Sequence, residues 1–124
     1  EDNSRINPDV IFERRKFVRI DKTCVVSYRE ARSTHPKSDI SQTKNISEGG
    51  VLFTSDRSFE SGSVLILKIR LPGSQDYTDI KVKVVDSVKK AKNILYDTRV
   101  KFIGISEEDK ATIREVIQNT IQNE

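Results

Sequence analysis

Apolar positions along this chain fall into short clusters separated by polar turns. Residues 23–29 (TCVVSYR) predict a first strand. Residues 30–39 read as a polar loop, where Pro36 argues against a central strand. A second strand over 40–45 leads into Asn45-Ile46-Ser47-Glu48-Gly49-Gly50, and β structure resumes at Val51–Thr54. Val64–Leu71, ended by Pro72-Gly73, and Ile80–Val85 follow. In the last β segment, Ile94–Ile103, Tyr96, Thr98, Val100 and Phe102 alternate with Asp97, Arg99 and Lys101. A period of two predicts one packed face and one wet face. Several short strands with short turns describe a small barrel or sandwich.

The period then changes. Ser106 is placed to cap a helix, with Asp109 three residues on, and Glu107, Glu108 and Asp109 set negative charge at the positive end of its dipole. Ile113, Val116, Ile117, Thr120 and Ile121 follow at helical spacing. That stripe is one face wide, so the helix is expected to lie across the barrel or against a partner, not inside the core.

Length and composition narrow the class. A chain of 124 residues fits one domain with one core. Charged residues, at 33%, nearly equal hydrophobic ones at 35%, so a modest core must carry a highly charged surface. No apolar run is long enough to cross a bilayer as a helix, and no signal-peptide pattern opens the chain. A sequence that starts at Glu1 and holds no Met reads as a processed or excised piece. Residues 1–13, polar and with Pro8, read as a flexible arm or linker, and 14–124 as the domain. Cys24, in the run Cys24-Val25-Val26, reads as a small buried hydrophobe; one cysteine forms no intrachain disulfide, which fits a cytoplasmic protein. His35 has no second ligand at metal spacing and reads as a surface residue, so no metal site is expected.

Two constellations carry candidate chemistry. Arg14-Arg15-Lys16-Phe17-Val18-Arg19 can aim several guanidinium groups at one place, and a guanidinium matches both phosphate oxygens and the O6/N7 edge of guanine. By charge alone the run reads first as a solvated basic stretch ahead of a β domain. Asn45-x-Ser47-x-x-Gly50 offers short hydrogen-bonding groups and a glycine that permits close approach or unusual backbone angles. By itself it reads first as an ordinary polar turn.

In order and in β context, the two together resemble the signature of PilZ domains, bacterial receptors for the second messenger cyclic di-GMP. Arg14, Arg15 and Arg19 match the Arg-Arg-x-x-x-Arg segment, and Asn45, Ser47 and Gly50 match Asp/Asn-x-Ser-x-x-Gly. Phe102 to Asp109 resembles the family's last strand running into its terminal helix, so the likeness covers residues 12–118. The resemblance implies an all-β fold, a six-stranded antiparallel split β-barrel with a C-terminal α-helix. It implies that Arg15 and Arg19 grip phosphates and guanine. Asn45 and Ser47 would contact a guanine and a nearby phosphate, with Gly50 keeping the turn open. An arginine at Arg14 goes, in the family, with an intercalated pair of ligand molecules. Asn45 stands where the family often has Asp, so its amide oxygen would replace a carboxylate toward the guanine N1–H and amino group.

This implies a receptor or adaptor that couples cyclic di-GMP binding to a partner domain or protein, with no cofactor beyond that ligand. Two alternatives stay open: a PilZ-like interaction domain without ligand, and a small nucleic-acid-binding barrel. Against the latter, the three Tyr and five Phe sit mostly at core positions and there is no Trp for base stacking. An enzyme is not expected, because one His and scattered carboxylates make no acid–base or metal constellation.

Overall fold

The computed structural model describes residues 18–32, 39–90 and 94–122. Among them, six strands precede one helix: β1 (Val25–Glu30), β2 (Asp39–Ile46), β3 (Gly50–Ser55), β4 (Val64–Ile69), β5 (Thr78–Lys89), β6 (Tyr96–Gly104) and α1 (Glu107–Gln122). All neighbouring strands pair antiparallel, and the order β1-β2-β3-β6-β5-β4 closes on itself through β4 and β1. The expected all-β barrel with a C-terminal helix is what the chain forms. Most strand ends differ from the periodicity reading, the most at β5, which runs over Thr78–Lys89 and not only Ile80–Val85. Leu71, buried, lies beyond the end of β4, and Ile94, exposed, lies before β6.

Alternation produces the core. In β5, Ile80, Val82 and Val84 are buried while Asp79, Lys81 and Lys83 face water. Tyr28, Phe53, Leu65 and Leu67 fill the interior from the facing strands, and the Tyr28 and Phe53 rings meet at 5.0 Å. Cys24 is buried there as a small hydrophobe, and burial pushes its thiol pKa up. Pro72 and Gly73 occupy the middle of a four-residue turn closed by the Ser74 N–H on the Leu71 carbonyl. Gly73 has φ of +84°, a value that favours glycine at the third position of such a turn.

Antiparallel pairing gathers the start of β1, β3 and β5 and the end of β2, β4 and β6 at one end of the barrel. The helix leaves from that end. Its first turn is capped as expected, Asp109 N–H donating to Ser106 Oγ at 3.0 Å. Ile113 and Ile117 are buried in the same core as the barrel residues, whereas Ile121, the last of the stripe, is 47% exposed. The helix therefore covers the barrel end with its first three turns.

Candidate nucleotide-binding site

The Asn45–Gly50 turn sits at this helix-covered end, and a β-bulge sets its geometry. Thr43 pairs with Phe53 and Asn45 with Leu52, so Lys44 is an extra residue in β2. A bulge reverses the parity of every later side chain. Thr43 faces the core before it and Ile46 faces the core after it, which leaves Asn45 half-buried at the surface. Without the bulge, Asn45 would point inward and Ile46 outward.

The segment entering β1 is fastened on both sides of this bulge. Ile20 and Ile46 exchange two backbone hydrogen bonds, of 3.0 and 2.9 Å. Thr43 Oγ1 accepts from the Cys24 N–H at 2.9 Å and donates to the Lys22 carbonyl at 2.6 Å. The antiparallel direction at Ile20 carries Arg19 toward Ser47. The structure thus brings together four of the six candidate residues, Arg19, Asn45, Ser47 and Gly50, around one cleft. Arg14 and Arg15 lie outside the described residues, as does His35.

Two of these residues hold the turn itself. Ser47 Oγ accepts from the Gly49 and Gly50 N–H groups, both at 3.1 Å, and donates to the Gly50 carbonyl at 3.2 Å. One proton and two lone pairs are thereby all engaged. Gly50 is required for a different reason than backbone angle. Positive φ occurs at Gly62 and Gly73, not at Gly50. A Cβ on Gly50 would instead fall onto the Val100 carbonyl oxygen, and it would stand 3.0 Å from the Lys101 Cα. Its missing side chain admits the backbone of β6.

The cleft, about 520 Å³, runs from the turn onto the outer face of β6 and reaches the helix start at Lys110. That volume lies within the range of small-molecule sites. Arg19, Arg99, Lys101 and Lys110 line it against one carboxylate, Glu48. Glu48 is already paired with Arg114 of α1: Nε donates to its Oε1 at 3.0 Å, and Nη2 stands at the same distance. This contact raises the Arg114 pKa and ties the turn to the helix. Cations thus outnumber carboxylates along the lining, which suits an anion. Val85, Phe102 and Ile105 add apolar surface.

Arg99, Lys101, Lys110 and Val85 were not singled out from sequence. Alternation along β6 did place Arg99 and Lys101 on its wet face. Their proximity to Asn45 depends on β3 lying between β2 and β6. Among the described residues, no group of three or more His, Cys, Asp or Glu side chains could hold a metal, and no helix is long and apolar enough to cross a membrane.

Comparison with known proteins agrees with this fold. The PilZ domain family model matches residues 13–119. No curated protein sequence matches the chain. The inhibitor of motility MotI/DgrA of Bacillus subtilis is similar at 23% identity and a TM-score of 0.72, over 90% of this chain and 53% of its own. MrkH of K. pneumonia, in a complex with cyclic di-GMP, shares 14% identity at a TM-score of 0.65, over 89% of this chain and 52% of that one. The chain thus spans about half the length of these two proteins. The PilZ domain of Escherichia coli YcgR, solved with cyclic di-GMP, gives 13% identity and a TM-score of 0.62, over 90% of this chain and 94% of that domain.

Proposed function

We propose, from the premise that this chain belongs to the PilZ domain family, that it is a receptor domain binding cyclic di-GMP in the cleft beside the Asn45–Gly50 turn. The observation that carries the reading is the pairing of Ile20 with Ile46, which sets Arg19 beside the turn at a cation-lined cleft. Two backbone hydrogen bonds set the last residue of the arginine motif next to the Asn45–Gly50 turn. MrkH and the YcgR domain, both of this fold, were solved with the same ligand.

Each residue then has a role. Arg15 and Arg19 donate to phosphate oxygens or to the O6/N7 edge of guanine through charge-assisted hydrogen bonds. Asn45 accepts from the guanine N1–H and amino group through its amide oxygen. Ser47 and Gly50 act mainly by fixing the backbone that presents Asn45, and Arg14 favours a second, intercalated ligand molecule. The ligand leaves chemically unchanged, so the domain is a receptor and not an enzyme. Engagement of the ligand by the arginines changes the surface offered to a partner domain or protein, and we place that event in the cytoplasm, where an intracellular messenger is met.

Calorimetric titration with cyclic di-GMP, with GTP and cyclic di-AMP as controls, tests the proposal. Arg15→Ala and Arg19→Ala each remove a charge-assisted contact worth about 2–5 kcal/mol, so affinity should fall by about thirtyfold to several thousandfold. A folded wild type that takes up no ligand would leave the interaction-domain alternative standing in its place.

A further inference from the structure

Outside the signature residues, the cleft contains an arginine with an unsatisfied donor. The Nε of Arg99 is buried and has no hydrogen-bond partner among the described residues. Its nearest acidic neighbour is Asp86, which Nη1 approaches to 3.9 Å, with the two side chains 43% and 44% exposed. At that distance the attraction is Coulombic without being a hydrogen bond. The Nε–Nη2 edge, one of the two forks a guanidinium offers, is therefore left for another acceptor pair. A buried N–H without a partner is costly, and in a native structure it calls for an explanation such as strain, a chemical role or a bound species.

The surroundings of Arg99 specify the acceptor. Val84 pairs with Val100 and Asp86 with Arg99, so Val85 is an extra residue bulged out of β5 beside Arg99. Val85 is 40% exposed and lines the cleft. An apolar wall next to a guanidinium suits the face and edge of a base. A phosphate in that position would give up hydration against the valine, which offers it no hydrogen bond in return. Lys101 and Lys110, compact point charges in the same cleft, suit the phosphates better.

We propose that Arg99 is a further ligand-binding residue of this site, donating from its Nε–Nη2 edge to O6 and N7 of a guanine whose face lies against Val85. The assignment rests on the receptor reading above. Rotation about the outer torsions of this half-exposed side chain turns the fork into the cleft. Asp86 then acts as a weak competitor for the same guanidinium.

The test is titration of the full chain and of Arg99→Gln and Asp86→Asn, each with cyclic di-GMP and with its 7-deazaguanine analogue, which lacks the N7 acceptor. Thermal melts accompany every variant. Arg99→Gln should weaken cyclic di-GMP binding by about tenfold to a hundredfold, the scale of a lost hydrogen bond to a charged group, without lowering the melting temperature. Asp86→Asn should bind as tightly as the wild type or more tightly. The analogue should bind the wild type more weakly than cyclic di-GMP does, and Arg99→Gln should shrink that penalty to what the other arginines contribute. If the wild type binds and Arg99→Gln binds equally well, the Arg99 assignment is wrong and the receptor reading survives. An equal analogue penalty in both proteins would remove the guanine-edge contact. Asp86→Asn losing as much affinity and thermal stability as Arg99→Gln would make the pair structural. No uptake by folded wild type would overturn the receptor reading and this inference with it.

Discussion

Replacing Gly50 by alanine puts a methyl group where β3 meets β6. The new Cβ would fall onto the Val100 carbonyl oxygen and lie 3.0 Å from the Lys101 Cα. Both obstacles are backbone, so no side chain can swing aside and the strands must separate. Two hydrogen bonds adjoin the contact: Ser47 N–H to the Gly50 carbonyl at 2.9 Å, and Phe102 N–H to the Gly49 carbonyl at 2.8 Å. Losing both costs about 2 kcal/mol, and overpacking adds about 1–3 kcal/mol. The entropy alanine removes from the unfolded chain offsets somewhat less than about 1 kcal/mol. A net loss of about 3 kcal/mol is expected, a large share of a typical domain stability of about 5–15 kcal/mol. The melting temperature should drop by about 10–20 °C. Urea denaturation followed by circular dichroism measures the change. Gly104→Ala is the control, because its Cβ would meet no backbone atom, only the Lys81 Cβ at 3.0 Å, and needs a much smaller shift. A loss under about 1 kcal/mol for Gly50→Ala, or equal losses for the two variants, would refute the claim that the signature glycine admits the β6 backbone.

Three further outcomes are expected. Ser47→Ala strips the Gly49 and Gly50 N–H groups of their side-chain acceptor and should cost about 1–3 kcal/mol of stability even without ligand, measured by the same denaturation; a neutral effect would mean the hydroxyl serves the ligand alone. Tyr28 is 2% exposed, and burial first, with nearby Asp56, pushes its hydroxyl pKa from 10.0 up to about 12. The fold thus retains a proton that the unfolded chain gives up above pH 10, so stability from this group is complete below pH 10. It should be lost as pH rises toward 12, by at most roughly 2.7 kcal/mol, and Tyr28→Phe should flatten that part of the urea-midpoint profile. Finally, wild type should take up about two cyclic di-GMP molecules per chain and Arg14→Leu about one, because a second ligand doubles the phosphate charge to be offset; a wild-type calorimetric ratio of one would contradict this.

Much of the fold was legible in order along the chain. The alternation of Tyr96, Thr98, Val100 and Phe102 against charged residues is a local pattern, and β6 follows it at Thr98, Arg99, Val100 and Lys101. Ser106 and Asp109 form their cap within one turn, again a local matter. The two motifs were legible as motifs, and through their resemblance so was the barrel. Arg19, Asn45, Ser47 and Gly50 do meet around one cleft.

The meaning of those motif residues was decided elsewhere. Nothing in Thr43-Lys44-Asn45 announces a bulge, because a bulge is a count of residues on one strand against another. Pairing with Phe53 and Leu52 inserts Lys44 and turns Asn45 to the surface. Gly50 looks like a turn glycine in sequence, yet its neighbour is Val100, fifty residues away, and the reason for glycine is that contact. Arg99 reads as one more wet-face cation until β6 comes to lie beside β3 and Val85 bulges next to it. Periodicity and capping act within a few residues and leave their trace in the sequence; register, parity and close backbone approach arise between segments far apart in the chain, and only the closed barrel determines them.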